Sequence, residues 1–207
     1  MRILFLVDGY FPGVGGAEIQ AQLLAKTLIG RGHDVQVVAP HLLPELPLEE
    51  SHHGVPIKRI GYPHIPKLSN IFYMINFARF YLKHAREYDA VHIHMVHKMA
   101  SVVALLRNWV DRPVIAKVSG ATEFEGGVLD FRHDRFYTRW LRKLLMRIDY
   151  YQSLSSFSTA KIRQAGASAE QVVTLANGLD ISRFQLSHTL HQLGDDRGEF
   201  VFAYCGR

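Results

Sequence analysis

The stretch Gly13-Val14-Gly15-Gly16-Ala17-Glu18 decides the fold of this chain. Before it stands Arg2-Ile3-Leu4-Phe5-Leu6-Val7, a run with almost no polar side chains, which predicts a strand buried on both faces, as in a parallel sheet. After it, Ile19 to Gly30 places apolar residues at Ile19, Leu23, Leu24 and Leu28, a helical spacing that Gly30 and Gly32 stop. The glycines therefore fall where a strand hands over to a helix. A backbone without Cβ can approach a ligand closely there, and the first N–H groups of the helix point into the gap. A phosphate or a carboxylate suits that chemistry. A tight turn with no ligand explains Gly-Gly as well.

The chain has 207 residues, 48% of them apolar, enough for one large domain or one and a half ordinary ones. Its one cysteine, Cys205, excludes an internal disulfide and points to a reducing, cytoplasmic compartment. No run of 18 apolar residues predicts a transmembrane helix, and Asp8 ends the N-terminal apolar run too early for a signal peptide. The formal charge is +5, and Arg132 to Arg147 accounts for it, with six basic residues against the single acid Asp134. A basic excess confined to one segment argues against a nucleic-acid-binding surface.

Outward from the glycine loop, apolar strands alternate with helical patterns. Val35 to Ala39 reads as a strand ended by Pro40, and residues 41–56, with Pro44, Pro47 and Pro56, as a surface loop. Ile57 to Ile60 reads as a short strand. Ser69 to Tyr88 reads as a helix capped by Ser69 or Asn70, its aromatic face of Phe72, Phe77, Phe80 and Tyr81 directed at the core. Asp89 to His94, Pro113 to Val118, Tyr150 to Leu154 and Val172 to Leu175 read as further strands. Met99 to Trp109, Arg132 to Ile148 and Ser156 to Ala165 read as the helices between them. This alternation predicts an α/β fold with a doubly wound parallel sheet, whose ligands bind at the carboxyl ends of the strands. Gly15 and Gly16, His94, Lys117 with Ser119 and Gly120, and Asn177 with Gly178 then converge on one rim.

Several readings stay open for the polar residues. His92 and His94 lie on one face of a strand and are suited to a metal, to a place in the core or rim, or to a substrate hydroxyl. Glu123 and Glu125 are a carboxylate pair for acid/base work or two solvated acids in a glycine-rich loop. Ser153, Ser155, Ser156 and Ser158 lack a nucleophile elbow and fit a strand end and a helix cap. Arg132, Arg135, Arg139 and Arg142 follow a helical stripe opposite Tyr137, Leu141, Leu144, Leu145 and Ile148. That stripe is a solvated face or a contact with anionic lipid or an anionic acceptor.

In order along nearly the whole chain, the motifs resemble the N-terminal half of retaining nucleotide-sugar glycosyltransferases of family 4, which have the GT-B architecture of two Rossmann-like domains. They are Arg2-Ile3-Leu4-Phe5-Leu6 with Gly15-Gly16-Ala17-Glu18, Arg31-Gly32-His33-Asp34-Val35, Asp89-Ala90-Val91-His92-Ile93-His94, Ser153 before a helix, Asn177-Gly178-Leu179-Asp180 with Phe184, and Tyr204-Cys205-Gly206-Arg207. The resemblance implies that Gly15, Gly16 and Glu18 border the donor diphosphate and acceptor. It implies that His94 acts on the donor sugar, that Lys117, Ser119, Gly120 and Glu123 line the acceptor side, and that Asn177 and Gly178 face the interdomain cleft. Where the family often has a histidine, this chain reads Val118-Ser119-Gly120.

The resemblance divides the chain into a Rossmann-like domain over 1–184, a linker over 185–199 and the first strand of a second, donor-binding domain over 200–207. That second domain normally brings an Arg, a Lys and two Glu to the nucleotide-sugar, so this chain alone is expected to be inactive. The implied reaction moves a hexose to a glycan or lipid-linked acceptor, without metal or cofactor, in the cytoplasm or at the inner membrane surface. Two alternatives compete: a non-catalytic binding domain and a dinucleotide-dependent oxidoreductase. The oxidoreductase needs a third glycine in the loop and an acid ending the second strand, and the chain has Glu18 and Ala39-Pro40 nearby instead.

Overall fold

The computed structural model describes residues 1–118, 120–132 and 136–181. The linker and final strand expected over 185–207 lie outside them. Eight strands form one sheet: β1 (Arg2–Leu6), β2 (Asp34–Pro40), β3 (Glu49–His52), β4 (Val55–Ile60), β5 (Ala90–Ile93), β6 (Val114–Lys117), β7 (Tyr150–Ser153) and β8 (Val172–Thr174). Their spatial order is β3-β4-β2-β1-β5-β6-β7-β8, parallel except for β3. Six helices connect them: α1 (Gly16–Gly30), α2 (Ser69–His84), α3 (Lys98–Leu105), α4 (Ala121–Phe124), α5 (Phe136–Leu145) and α6 (Ser156–Gln164). None of the described helices is long and apolar enough to cross a membrane.

The register explains why β1 is so apolar. Leu4 and Leu6 enter the larger core, with residues of α2, α3, α5 and α6, while Phe5 and Val7 enter the smaller one, with Ala21 and Ala25 of α1. Alternate residues of one strand thus serve two cores, and a polar side chain at any of them would be stranded in apolar surroundings. Along the rest of the sheet the same parity carries Val91, Val114 and Tyr151 to the larger core. It carries His92, Ile115 and Tyr150 to the other face, in line with Phe5.

From β1 the chain winds outward through β2 to β4, then returns to lay β5 against the free side of β1. The order reverses there, so the connections leaving β1 and β5 diverge to opposite faces and open a crevice between them.

Four sequence expectations are corrected. The loop over 41–56 contains the edge strand β3, which pairs antiparallel with β4 through the two-residue turn His53-Gly54. Both turn residues have positive φ, 50° and 80°, the geometry whose twist matches a hairpin. Neither Ser69 nor Asn70 caps α2: its N-cap is Leu68, with no side-chain hydrogen bond, and the Ser69 hydroxyl donates to Ile65 O instead. Of the aromatic face expected for α2, Phe77 and Tyr81 enter the core and Phe80 packs against it, with Tyr73 in place of Phe72. Of the helix expected over Arg132 to Ile148, Arg132 lies outside α5, with its backbone N–H and guanidinium both donating to Asp130. Finally, a single helical turn, α4, interrupts the glycine-rich loop after β6.

Candidate functional site

At the crevice, α1 begins with Gly15 as N-cap in extended conformation, and no side chain caps it. The first amides of the helix are left for other partners. Glu18, one turn into α1, folds back under the loop. A Cβ on Gly15 would collide with Glu18 Oε2, and one on Gly9 would stand 2.7 Å from Glu18 Oε1. A Cβ on Gly13 would meet Tyr10 O at 2.5 Å. Gly16 has nothing within 4 Å of its missing Cβ. A side chain at Gly13 is therefore blocked by backbone, those at Gly9 and Gly15 would displace the Glu18 carboxylate, and of these four Gly16 alone faces open space.

His94 follows β5, its backbone N–H still bonded to Leu6 O of β1 at 2.9 Å. Its ring and that of His92 share one face, with His92 Nδ1 3.0 Å from His94 Nε2 and Phe5 packed against both. Both rings are buried, His94 to 1% exposure, and His94 Nδ1 has no hydrogen-bond partner. Burial drives the His92 pKa down to about 4, with the Lys117 charge adding to it and a hydrogen bond to Gln152 opposing it. His94 is driven well below the ordinary value by burial, then by His92 and Lys117. Both imidazoles are neutral at pH 7. An unpartnered buried polar atom costs about 1–3 kcal/mol, so His94 Nδ1 is a group in want of a partner.

Lys117 ends β6 with its side chain buried, and burial lowers its pKa. The backbone beyond it is held by Glu123, which accepts from Gly120 N at 3.0 Å and Val96 N at 3.5 Å. Glu123 is fully buried, so the sequence reading of a solvated acid is corrected: this carboxylate ties the loop after β6 to the loop after β5. Glu125 is the exposed acid of the two. Ser119 lies outside the described residues. The last loop joins the rim when Gln20 Nε2 of α1 donates to Gly178 O at 2.9 Å, next to Asn177. The four loops after β1, β5, β6 and β8 thus gather at one end of the sheet.

Sequence reasoning missed Asp8. Two residues beyond β1, its carboxylate accepts from Met99 N at 2.7 Å and Tyr73 Oη at 3.3 Å. It binds the first turn of α3 and the side of α2 to the crevice, where a carboxylate also suits the helix dipole. Its position at the end of an apolar strand was the only sequence signal available.

The arginine stripe needs correction. Arg142 is buried: it donates to Val128 O and Asp130 O, each at 3.3 Å, and its guanidinium lies 4.5 Å from the Phe131 ring centroid. Arg132 pairs with Asp130 before α5 begins, and Arg135 lies outside the described residues. On the expected inner stripe, Tyr137 is exposed, while Leu145 and Ile148 are buried. The outward face of α5 instead presents Phe136, Arg139, Trp140 and Lys143, one to two turns apart. Of these, Phe136 is 86% exposed and Trp140 54%.

Among the described residues, no group of three or more His, Cys, Asp or Glu is arranged to hold a metal ion.

A doubly wound sheet with a glycine loop, a buried histidine and a lysine around its switch point defines a Rossmann-like α/β domain. Residues 15–178 match the glycosyl transferase 4-like domain, and the chain belongs to that family. Its fold is that of GT-B proteins. Sucrose-phosphate synthase from Thermosynechococcus elongatus superposes with a TM-score of 0.70 at 17% identity, covering 89% of this chain and 50% of that one. Anabaena HepE in complex with UDP and glucose superposes at 0.62 and 23% identity, over 88% of this chain and 46% of that one. The lipopolysaccharide outer core galactosyltransferase WaaB superposes at 0.61 and 14% identity, over 87% and 47%. The chain spans about half the length of these structures. An uncharacterized 42.6 kDa protein in the cps region of Klebsiella pneumoniae is 39% identical over 66 residues, 31% of this chain and 17% of that protein.

Proposed function

We propose that this chain is the acceptor-side half of a retaining glycosyltransferase that moves a hexose from a nucleotide-sugar to a glycan or lipid-linked acceptor. The observation that carries the reading is the gathering of Gly16, His94 and Lys117 at the switch point of the sheet. Each group has a chemical part. As the sugar leaves, the nucleoside diphosphate gains negative charge, and the open N-terminus of α1 at Gly16 offers amides and a helix dipole to it. Lys117 adds a cation beside the same crevice. His94, neutral and with Nδ1 unpartnered, is suited to hydrogen-bond a sugar hydroxyl once its cover shifts. Stabilisation of the leaving group then allows the acceptor hydroxyl to attack from the same face. No metal or cofactor enters this scheme.

The similar structures include a protein seen with UDP and glucose and an outer core galactosyltransferase, and a sequence relative lies in a cps region. Those facts favour a nucleotide-sugar donor and a glycan acceptor. The outward face of α5 favours an acceptor at a membrane surface in the cytoplasm, since aromatic and cationic side chains together suit the lipid headgroup layer.

The test is to offer the full-length protein a panel of UDP-, GDP- and ADP-hexoses, follow release of nucleoside diphosphate, and read the product anomer by proton NMR. Release with retained anomeric configuration is expected. Inversion would overturn the retaining mechanism. No release from any donor, with acceptor extracts present, would overturn the transferase reading.

A further inference from the structure

Beside the crevice lies a second cavity of about 460 Å³, bounded by Phe124, Phe131, Arg132, Phe157 and Lys161. The three rings come from three separate elements: α4, the segment before α5, and α6. Phe124 and Phe157 meet edge to face, centroids 5.3 Å apart with planes at 74°. Phe157 is nevertheless 59% exposed, so a face of its ring is open. Lys161 Nζ sits 5.5 Å from the Phe131 centroid and 5.8 Å from that of Phe157. At the rim, Asp130 is buried and accepts from Gly126 N, Arg132 N and the Arg132 guanidinium, which hold its carboxyl far below the usual range. That clamp fixes a guanidinium whose side chain is 65% exposed on the cavity wall.

We propose that this cavity is a saccharide subsite, which holds a pyranose ring of the acceptor next to the one that reacts. The inference rests on the transferase reading above. A pyranose has an apolar face of C–H groups and a rim of hydroxyls. Its slightly positive C–H groups suit the negative face of Phe157, and the hydroxyls suit the fixed guanidinium of Arg132 and the ammonium of Lys161. The volume falls in the range of small-molecule sites, and an apolar floor with a few fixed polar groups is their usual lining. The cavity is also coupled to the crevice: Phe124 follows Glu123, the carboxylate that holds the loops after β5 and β6 together. A ligand on Phe124 therefore sits one residue from the clamp that shapes the reaction site.

Saturation-transfer NMR on the full-length protein tests this, with maltose, cellobiose, lactose and methyl α-mannoside as probes and UMP as competitor. At least one saccharide should give a signal that UMP leaves in place. Phe157→Ala and Lys161→Ala should weaken it at least tenfold, and Phe157→Trp should restore it. Both sites are exposed enough for the variants to fold, which circular dichroism checks. Saccharide signals unchanged in Phe157→Ala, displaced by UMP, or absent for every probe would overturn the subsite. Donor hydrolysis without acceptor separates the two readings. If the wild type hydrolyses a donor and binds no saccharide, the subsite alone fails. If saccharide binds as expected and no donor is ever cleaved, the transferase reading fails.

Discussion

Gly13, Gly15 and Gly16 stand within four residues of one another and answer to different neighbours. A Cβ on Gly13 meets a backbone oxygen, which cannot move aside, whereas one on Gly15 meets the end of a flexible glutamate. Gly13→Ala is therefore expected to cost about 1–3 kcal/mol, read as a lowered unfolding midpoint. Gly15→Ala should cost less, and Glu18→Ala should relieve it in a double-mutant cycle. Gly16→Ala should leave stability within about 0.5 kcal/mol, so any large loss of donor turnover in that variant reports a ligand at the loop. The sequence showed that the glycines mattered; it could not show that Gly9 and Gly15 make room for Glu18, because that contact depends on how the side chain folds back. His94→Ala is expected to lower kcat/KM more than about tenfold, roughly 1.4 kcal/mol, in the full-length enzyme. Unchanged kinetics would leave the ring a core residue. The two buried histidines also set a pH dependence. Their folded pKa values lie below the unfolded value of about 6.5, so the unfolded chain binds protons first as pH falls. Stability is complete above pH 6.5 and declines toward pH 4, with His92 alone accounting for about 3 kcal/mol. Urea midpoints across that range should fall in the wild type and fall less in His92→Phe. A flat profile in the wild type would contradict the burial of both rings.

The elements that were legible are those with a period. Because both faces of the sheet are covered, β1 is a continuous apolar run past Arg2, and β2 past Asp34, β5 and β6 each hold one polar side chain, Gln36, His92 and Lys117; α1 carries a plain helical repeat. The edge strand β3 was not legible: Glu-Glu-Ser-His has no apolar alternation, and its turn uses His-Gly where Asn-Gly is the usual signal. Gly54→Val should cost on the order of 1–2 kcal/mol at that left-handed position, with exchange of the β3 amides speeding most. In α5 the arginine spacing was real, but burial of Arg142 reverses its meaning. A guanidinium can enter the core when carbonyls and a ring receive it, and nothing in residue spacing announces those partners. The outward face then belongs to aromatics. Vesicle co-sedimentation should find the protein on phosphatidylglycerol at low salt, with Phe136→Ser and Trp140→Ser releasing it and Arg139→Glu weakening it. Equal binding by the Phe136 and Trp140 variants would remove α5 from the membrane contact.

At the scale of the molecule, the candidate site is a product of strand order. The glycine loop, His94 and Lys117 were legible as strand ends; their adjacency follows from β5 returning to the free side of β1. The aromatic cavity was hidden because Phe157 of α6 joins Phe124 and Phe131 from more than twenty residues further along the chain. The same strand order has a consequence during synthesis. β1 leaves the ribosome about eighty residues ahead of β5, and only β2 is made in between to pair with it. At roughly 5–20 residues per second, the other edge of the most apolar strand stays open for several seconds. In the finished protein β5 covers that edge; in the nascent chain it is the segment a chaperone would have most reason to hold.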